Sequence, residues 1–339
     1  MSNSPLVLFE YDCLQHSEFD MLTSIVTFAL VAATTVFAAP GLSNVTLAAS
    51  GNSTIRYNRC DNSISPESIA AIEAQFQAEE AASAQSGIGD FIGDLLDLLF
   101  GTTIPVYFHV VAKDKTPQGG WLSDKQIRQQ IDVMNQAYAR TGLKFKLESI
   151  DKTVEPQWHV DACPGTGTEA TMKRTLRKRK GDKKAFNVYT VRCESKSAPN
   201  LLGYSTFPWN WDSTLDSAIN DGSVIHSDSL PGGNLWGYDL GYTLVHEFGH
   251  WAGLYHTFQG DDCDLGNDFV ADTPQEAGVA FGCPVGLNSC PDKPGVDSIH
   301  NYMAWTDDSC MHEFTRGQIK RMASQLKYWR GIKVIVPFW

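Results

Sequence analysis

The chain has 339 residues, 42% of them hydrophobic, which is enough to bury a sizeable core in one large domain or two modest ones. Its formal net charge of -12 and pI near 5.1 argue against nucleic acid or an anionic membrane surface as partner, since both attract basic proteins.

Residues 1–20 are acidic where a targeting leader should begin positive, so this leader is doubtful and Met21 is read as the true start. From Met21 to Ala38 the chain carries no charge and ends in small residues, the pattern of a signal peptide cleaved near Ala38 or Ala39. A transmembrane anchor is the competing reading, because a span needs only about 17–25 apolar residues. The threonines, the serine and the small residues at its end favour the signal, and so a secreted, extracellular protein with no stable membrane association after its removal. Asn44 and Asn52 lie in Asn-x-Thr sequons, which matter only on a secretory route. Residues 65–85 predict one helix, with Ser65 as cap, Pro66 in the first turn and Glu67 favouring the dipole. Residues 39–100 read as a pro-segment or N-terminal extension, closing in a loose amphipathic link, "GIGDFIGDLLDLLFG".

The compact domain is assigned to residues 101–339. It opens on a β-branched and aromatic strand, "TIPVYFHVVA" (103–112). A helix over 122–142 follows, with Ile127, Ile131, Met134 and Tyr138 on its apolar face and Gly142 as its stop. Segments 143–150, 185–193 and 222–228 supply further strands, so the sheet is expected to be mixed. The basic run "KRTLRKRKGDKK" (173–184) reads as a solvated helix face, with a docking site for an acidic partner as the alternative.

The segment "HEFGHWAGLYH" (246–256) concentrates the chemistry. On a helix, His246 and His250 are i and i+4, so both imidazoles leave one face and can share one metal. Glu247 lies one step round, close enough to handle the metal's water without ligating. Gly253 can adopt a left-handed conformation, ending the helix and turning His256 back toward the same ion. Three neutral nitrogens and one open position describe a catalytic Zn²⁺ site, since structural zinc sites more often close with four protein ligands. Chance would give this five-position pattern in such a chain about 10⁻⁴ times or fewer.

With that motif and a candidate methionine turn at Met303 in "NYMAWTD" (301–307), the chain resembles the metzincin metalloproteases. Through "LGYSTFPW" (202–209), "SLPGG" (229–233), "ADTPQ" (271–275) and "NYMAWTDDSCMHEFTRGQIKRM" (301–322), it is most similar to the pappalysin family and its secreted fungal extracellular metalloproteases. The resemblance spans roughly residues 100–330. It implies an α+β fold, with a mixed twisted sheet above an active-site helix and a smaller irregular or helical subdomain after His256. It further implies a zinc endopeptidase acting on protein or peptide substrates, with Glu247 as the general base for a zinc-bound water. An extended peptide would pair with an edge strand, assigned here to "GSVIHSD" (222–228). A catalytically inactive zinc-binding protein, or a zinc hydrolase of a non-peptide substrate, is the alternative. Trp305 departs from the family, which usually has tyrosine there; an indole N–H can donate but cannot ligate zinc.

Of eight cysteines, Cys13 lies in the doubtful leader. The resemblance implies Cys263–Cys290 and Cys283–Cys310 disulfides, and Cys163 with Cys193 is a plausible third pair. Cys60 is left odd. It can serve as a zymogen switch whose thiolate occupies the metal's open position, or be paired elsewhere or free. Asp261, Asp262, Asp264, Asp268 and Asp272 crowd one loop, suiting either Ca²⁺ or a solvated acidic surface.

Overall fold

The computed structural model describes residues 57–60, 64–83, 101–179, 181–194, 199–264 and 268–337. The stretches read as a doubtful leader (1–20), a signal peptide (21–38) and an amphipathic link up to residue 100, and both sequons, lie outside the described residues. Among the described residues no helix is long and apolar enough to cross a membrane.

In chain order the elements are α1 (Pro66–Ser83), β1 (Thr102–Ala112), α2 (Asp124–Ala137), β2 (Leu143–Val154), α3 (Pro156–Asp161), α4 (Gly167–Leu176), β3 (Phe186–Val191), β4 (Gly203–Ser205), α5 (Leu215–Asn220), β5 (Ser223–His226), α6 (Tyr242–Trp251) and α7 (Arg316–Arg330). α2 starts where a capping box permits, with Ser123 and Gln126 each satisfying the other's backbone N–H. Its buried face is Ile127, Ile131 and Met134, joined by Gln130. The strands form one sheet in the order β2-β1-β3-β5-β4. The first four run parallel, and β4 pairs antiparallel with β5. Every residue of β3 is buried, as a central parallel strand covered on both faces requires.

Two expectations are corrected here. The segment 222–228 contains β5, which is interior; the outermost strand is β4, only three residues long and too short to stand out as a periodic run. The basic run is not wholly solvated either. Lys173 and Arg177 turn inward, onto Glu169 at 2.6 Å and Asp221 at 3.3 Å, while Arg174 and Arg179 stay exposed.

The main core lies between the sheet and α6. Phe248 meets Phe145, Phe186 and Tyr138 edge-on, at centroid distances of 4.7, 5.0 and 5.1 Å. The Tyr138 hydroxyl donates to the Val245 carbonyl at 2.7 Å, fixing α6 along its axis. Beyond α6 the chain is largely irregular until α7, so the lower part is more loop than helix. Disulfides Cys263–Cys290 and Cys283–Cys310 tie these loops, and Cys163–Cys193 ties the segment before α4 to the end of β3.

Asp221 is the electrostatic centre beneath the sheet. Its carboxylate receives Arg330 at 2.8 Å, Arg177 at 3.3 Å and the indole N–H of Trp251 at 3.1 Å. Burial alone would raise its pKa, but the two guanidinium groups outweigh that and hold it below the usual carboxylate value. Its stabilising effect is therefore present near neutrality and lost as pH falls through that lowered value. Asp221→Ala leaves two buried cations unpaired. We expect it to destabilise the fold by about 3–5 kcal/mol, read as a lower denaturant midpoint; an unchanged midpoint would contradict this account.

Candidate active site

Gly241, at φ 89°, turns the chain into α6, which carries His246, Glu247 and His250 with every residue from Thr243 to Trp251 buried. The helix stops at Ala252, and Gly253 follows with φ 96°. A side chain at Gly253 would be strained by that φ and would meet Gln325 of α7 at 2.7 Å. The turn delivers His256. The three Nε2 atoms then form a triangle with sides of 3.1, 3.1 and 3.2 Å. The Nδ1 of His246 lies 2.7 Å from the Tyr302 carbonyl, and that of His250 lies 2.8 Å from the Leu254 carbonyl. A carbonyl can only accept, so in both rings the proton is on Nδ1 and the Nε2 lone pair faces the centre. Burial lowers the pKa of all three, His250 to about 4, which keeps them neutral.

Converging lone pairs at this distance repel unless a cation lies between them. Zinc–nitrogen bonds of about 2.0–2.1 Å in a tetrahedral shell place nitrogens roughly 3.3 Å apart, so this donor set fits zinc. Second partners on Nδ1 are the usual means of orienting metal-bound imidazoles.

Met303 is fully buried under the helix, and its sulfur would lie 2.4 Å from a Cβ placed on Gly249. Glycine within a helix is costly, which was the available signal that something approaches closely there. The turn is held by Asn301, whose Oδ1 accepts the Met303 N–H at 2.9 Å and whose side chain is paired with Gln318 of α7. The Trp305 ring stands edge-on to His256 at 5.6 Å and to Phe258 at 5.6 Å. Its Nε1 meets no hydrogen-bond partner among the described residues.

Cys60 is buried, and its Sγ lies 3.5 Å from Glu247 Oε2. One ligand atom from each of Cys60, His246, His250 and His256 falls within 4.8 Å of the others. The segment reaches this place along the outer sheet: Asn58 bridges Leu201 in parallel, receiving Leu202 N–H at 2.9 Å and donating to Asn200 at 3.0 Å. Arg59 is fully buried, 2.8 Å from Asp308 and 4.9 Å above the Tyr238 ring. Glu247 meanwhile lies against β4, where a Cβ on Gly203 would come within 2.8 Å of Oε1. Gly203, Arg59, Tyr238 and Asp308 were not singled out from sequence, because only the fold brings them to α6.

Among the described residues the five loop aspartates have separate partners or surroundings. Asp272 accepts from Thr315 and Gly317 at the start of α7, Asp264 pairs with Lys293 at 2.6 Å, and Asp261 is exposed. Asp262 accepts the backbone N–H of Asp264. Asp268 alone is buried, and burial raises its pKa to about 7. Among the described residues no three carboxylates form a metal-sized group; the other such group, Cys283, His300 and Cys310, has its sulfurs in a disulfide.

A histidine-bearing helix closed by a glycine turn, a third histidine and a buried methionine turn define the metzincin class of metallopeptidases. Residues 177–327 match the peptidase M43 family, described as Pregnancy-associated plasma protein-A. The chain is 42% identical over 263 residues to an extracellular metalloprotease of Sordaria macrospora, covering 78% of this chain and 83% of that protein. It is 43% identical to extracellular metalloprotease 1 of Coccidioides posadasii, covering 76% and 87%. Among solved structures, mature mirolysin of Tannerella forsythia in complex with a cleaved peptide aligns with TM-score 0.55 and 28% identity, over 68% of this chain and 94% of that one. A promirolysin mutant aligns with TM-score 0.60 and 26% identity, over 82% and 95%. The chain belongs to the pappalysin family of metzincin metalloproteases and is a metalloendopeptidase.

The close packing of Gly249 on Met303 yields a prediction. Gly249→Ala forces a methyl group into the methionine sulfur, and should cost about 1–3 kcal/mol, seen as a lower midpoint of thermal unfolding. No change in midpoint would mean that Met303 does not press on the helix.

Proposed function

We propose that this chain is made as a latent, secreted zinc endopeptidase, in which His246, His250 and His256 hold the ion and Glu247 is the general base. The observation that carries the reading is the closed triangle of Nε2 atoms with one carboxylate beside it. Bound zinc would supply Lewis acidity, polarising a carbonyl and acidifying a water. Glu247 takes up the water's proton and returns it to the departing amine. Gly203 leaves space for the Glu247 carboxylate against the sheet, so that a peptide pairing along β4 would pass directly over it. Trp305 serves to pack against His256, and the oxyanion is stabilised by other groups. Asp268 remains the one inward-facing carboxylate of the proposed calcium loop.

Cys60 would block the site in the precursor, with its sulfur in the position a water needs. Arg59, beside it, marks the adjoining pocket of Asp308 and Tyr238 as one that accepts a cationic side chain. Residues 57–83 would thus be the described part of a pro-segment. The larger share of this chain aligned with promirolysin than with mature mirolysin supports that division. The extracellular names of the relatives and the signal-like stretch 21–38 support secretion.

Two outcomes test this. Glu247→Ala should retain stoichiometric zinc by elemental analysis while losing at least about 10²-fold in peptide hydrolysis; near-normal turnover in a zinc-loaded variant sinks the assignment. Cys60→Ala should make the intact precursor active without processing. Equal latency with and without Cys60 removes the switch.

A further inference from the structure

The segment leading to Cys60 lies along the strand beside Glu247, and its side chains report what the adjoining pockets accept. Asn58 is level with Leu201, and two residues on Cys60 and Gly203 both lie against the Glu247 carboxylate, Cys60 on Oε2 and Gly203 on Oε1; Tyr57 precedes the bridge, on the side of Asn200. In an extended chain alternate side chains share a face. Arg59 and Tyr57 therefore point the same way, into the protein. Arg59 meets Asp308; Tyr57 packs with Leu202, Leu235 and Tyr238, its ring edge-on to Tyr238 at 5.7 Å. Tyr238 is shared by both, touching the Arg59 guanidinium and the Tyr57 ring. Next to Tyr57 the surface continues into a cleft of ≈ 600 Å³, bounded in part by Leu201, Leu235 and His226.

Resting on the endopeptidase reading above, we propose that Leu202, Leu235 and Tyr238 form a second specificity subsite, which takes an aromatic side chain at the third residue after the scissile bond. The direction follows from the pairing. The segment before Cys60 runs parallel to the strand, the orientation of a blocking chain, and a productive peptide would run the opposite way, forming the slightly more stable antiparallel ladder. A substrate residue level with Arg59 then directly follows the scissile bond, and one level with Tyr57 lies two residues further on. The intervening residue, at the position of Asn58, faces outward and is read weakly. Aromatic rings suit this subsite because its walls are two leucines and a tyrosine ring, which Tyr57 already meets edge-on.

The test uses quenched fluorescent peptides with arginine directly after the intended scissile bond and Tyr, Phe, Gly or Asp two residues beyond it. The enzyme is produced from the full chain and loaded with zinc after processing. We expect Tyr and Phe to raise kcat/KM about tenfold over Gly, mainly through KM, because a contact made equally in ground and transition states is uniform binding. Leu235→Asp should abolish that preference. Should Leu235→Asp fail to fold, Tyr57 variants of the full chain serve instead. Tyr57→Asp should speed alkylation of the Cys60 thiol about tenfold, and Tyr57→Phe should leave it unchanged. Cleavage with equal kcat/KM for all four peptides, or alkylation indifferent to Tyr57, overturns the subsite alone. Cleavage of none of them by the zinc-loaded enzyme overturns the reading of the active site as well.

Discussion

Three buried imidazoles with their lone pairs turned to one point are the constraint around which this protein is arranged. Each must be neutral, each must be held in one ring orientation, and each must be kept from water until an ion compensates the mutual repulsion. Burial provides the first condition, and the carbonyls of Tyr302 and Leu254 provide the second for His246 and His250. Those carbonyls come from different places: one from the methionine turn, the other from the loop just after Gly253. The turn is in turn held by Gln318, and the Gly253 carbonyl by Arg321, both on α7. α7 is thus less a separate element than the brace that fixes where the first and second histidines, His246 and His250, can point.

The same brace serves the N-terminal segment. Glu73 of α1 forms a two-pronged pair with Arg321, at 3.0 and 2.5 Å, and accepts the Tyr255 hydroxyl at 3.1 Å. Ile69 packs with Phe207 and Tyr255 beside it. Arg59 is held differently. It is buried against Asp308, but its Nε and Nη1 reach no hydrogen-bond partner among the described residues. A buried cation satisfied on one side only contributes little net stability, and a fork matched at both prongs contributes more. Glu73 of α1 is accordingly the better-satisfied anchor of the two.

Much of this is legible in the sequence. The i, i+4 spacing of His246 and His250 places them on one helix face wherever that helix lies, and Gly253 is compatible with the left-handed turn that the backbone adopts. The apolar spacing of Ile127, Ile131 and Met134 marks α2, although the expected helix over 122–142 is longer than the observed Asp124–Ala137, and the β-branched run at 103–112 marks β1. β4 was missed because three residues carry no period. Lys173 and Arg177 were misread because charge by itself says nothing of partners 4 or 44 residues away, here Glu169 and Asp221. The acidic loop left a Ca²⁺ site and a solvated surface open, because spacing along the chain does not say that Asp272 caps the start of α7, Asp264 pairs with Lys293 and Asp268 is buried.

By itself the sequence determined the local geometry of the metal-binding helix, the class of chemistry its residues allow, and which segments alternate as strand and helix. These depend on spacing along the chain, which is fixed by covalent connectivity and backbone period. The tertiary structure alone decided which strand is outermost, that Cys60 and Arg59 lie at Glu247 and Asp308, and that Gly203 and Gly249 are glycines because a carboxylate and a methionine press against them. These depend on contacts between residues as many as 249 positions apart, and such contacts leave no periodic trace in either segment until the core has brought both together.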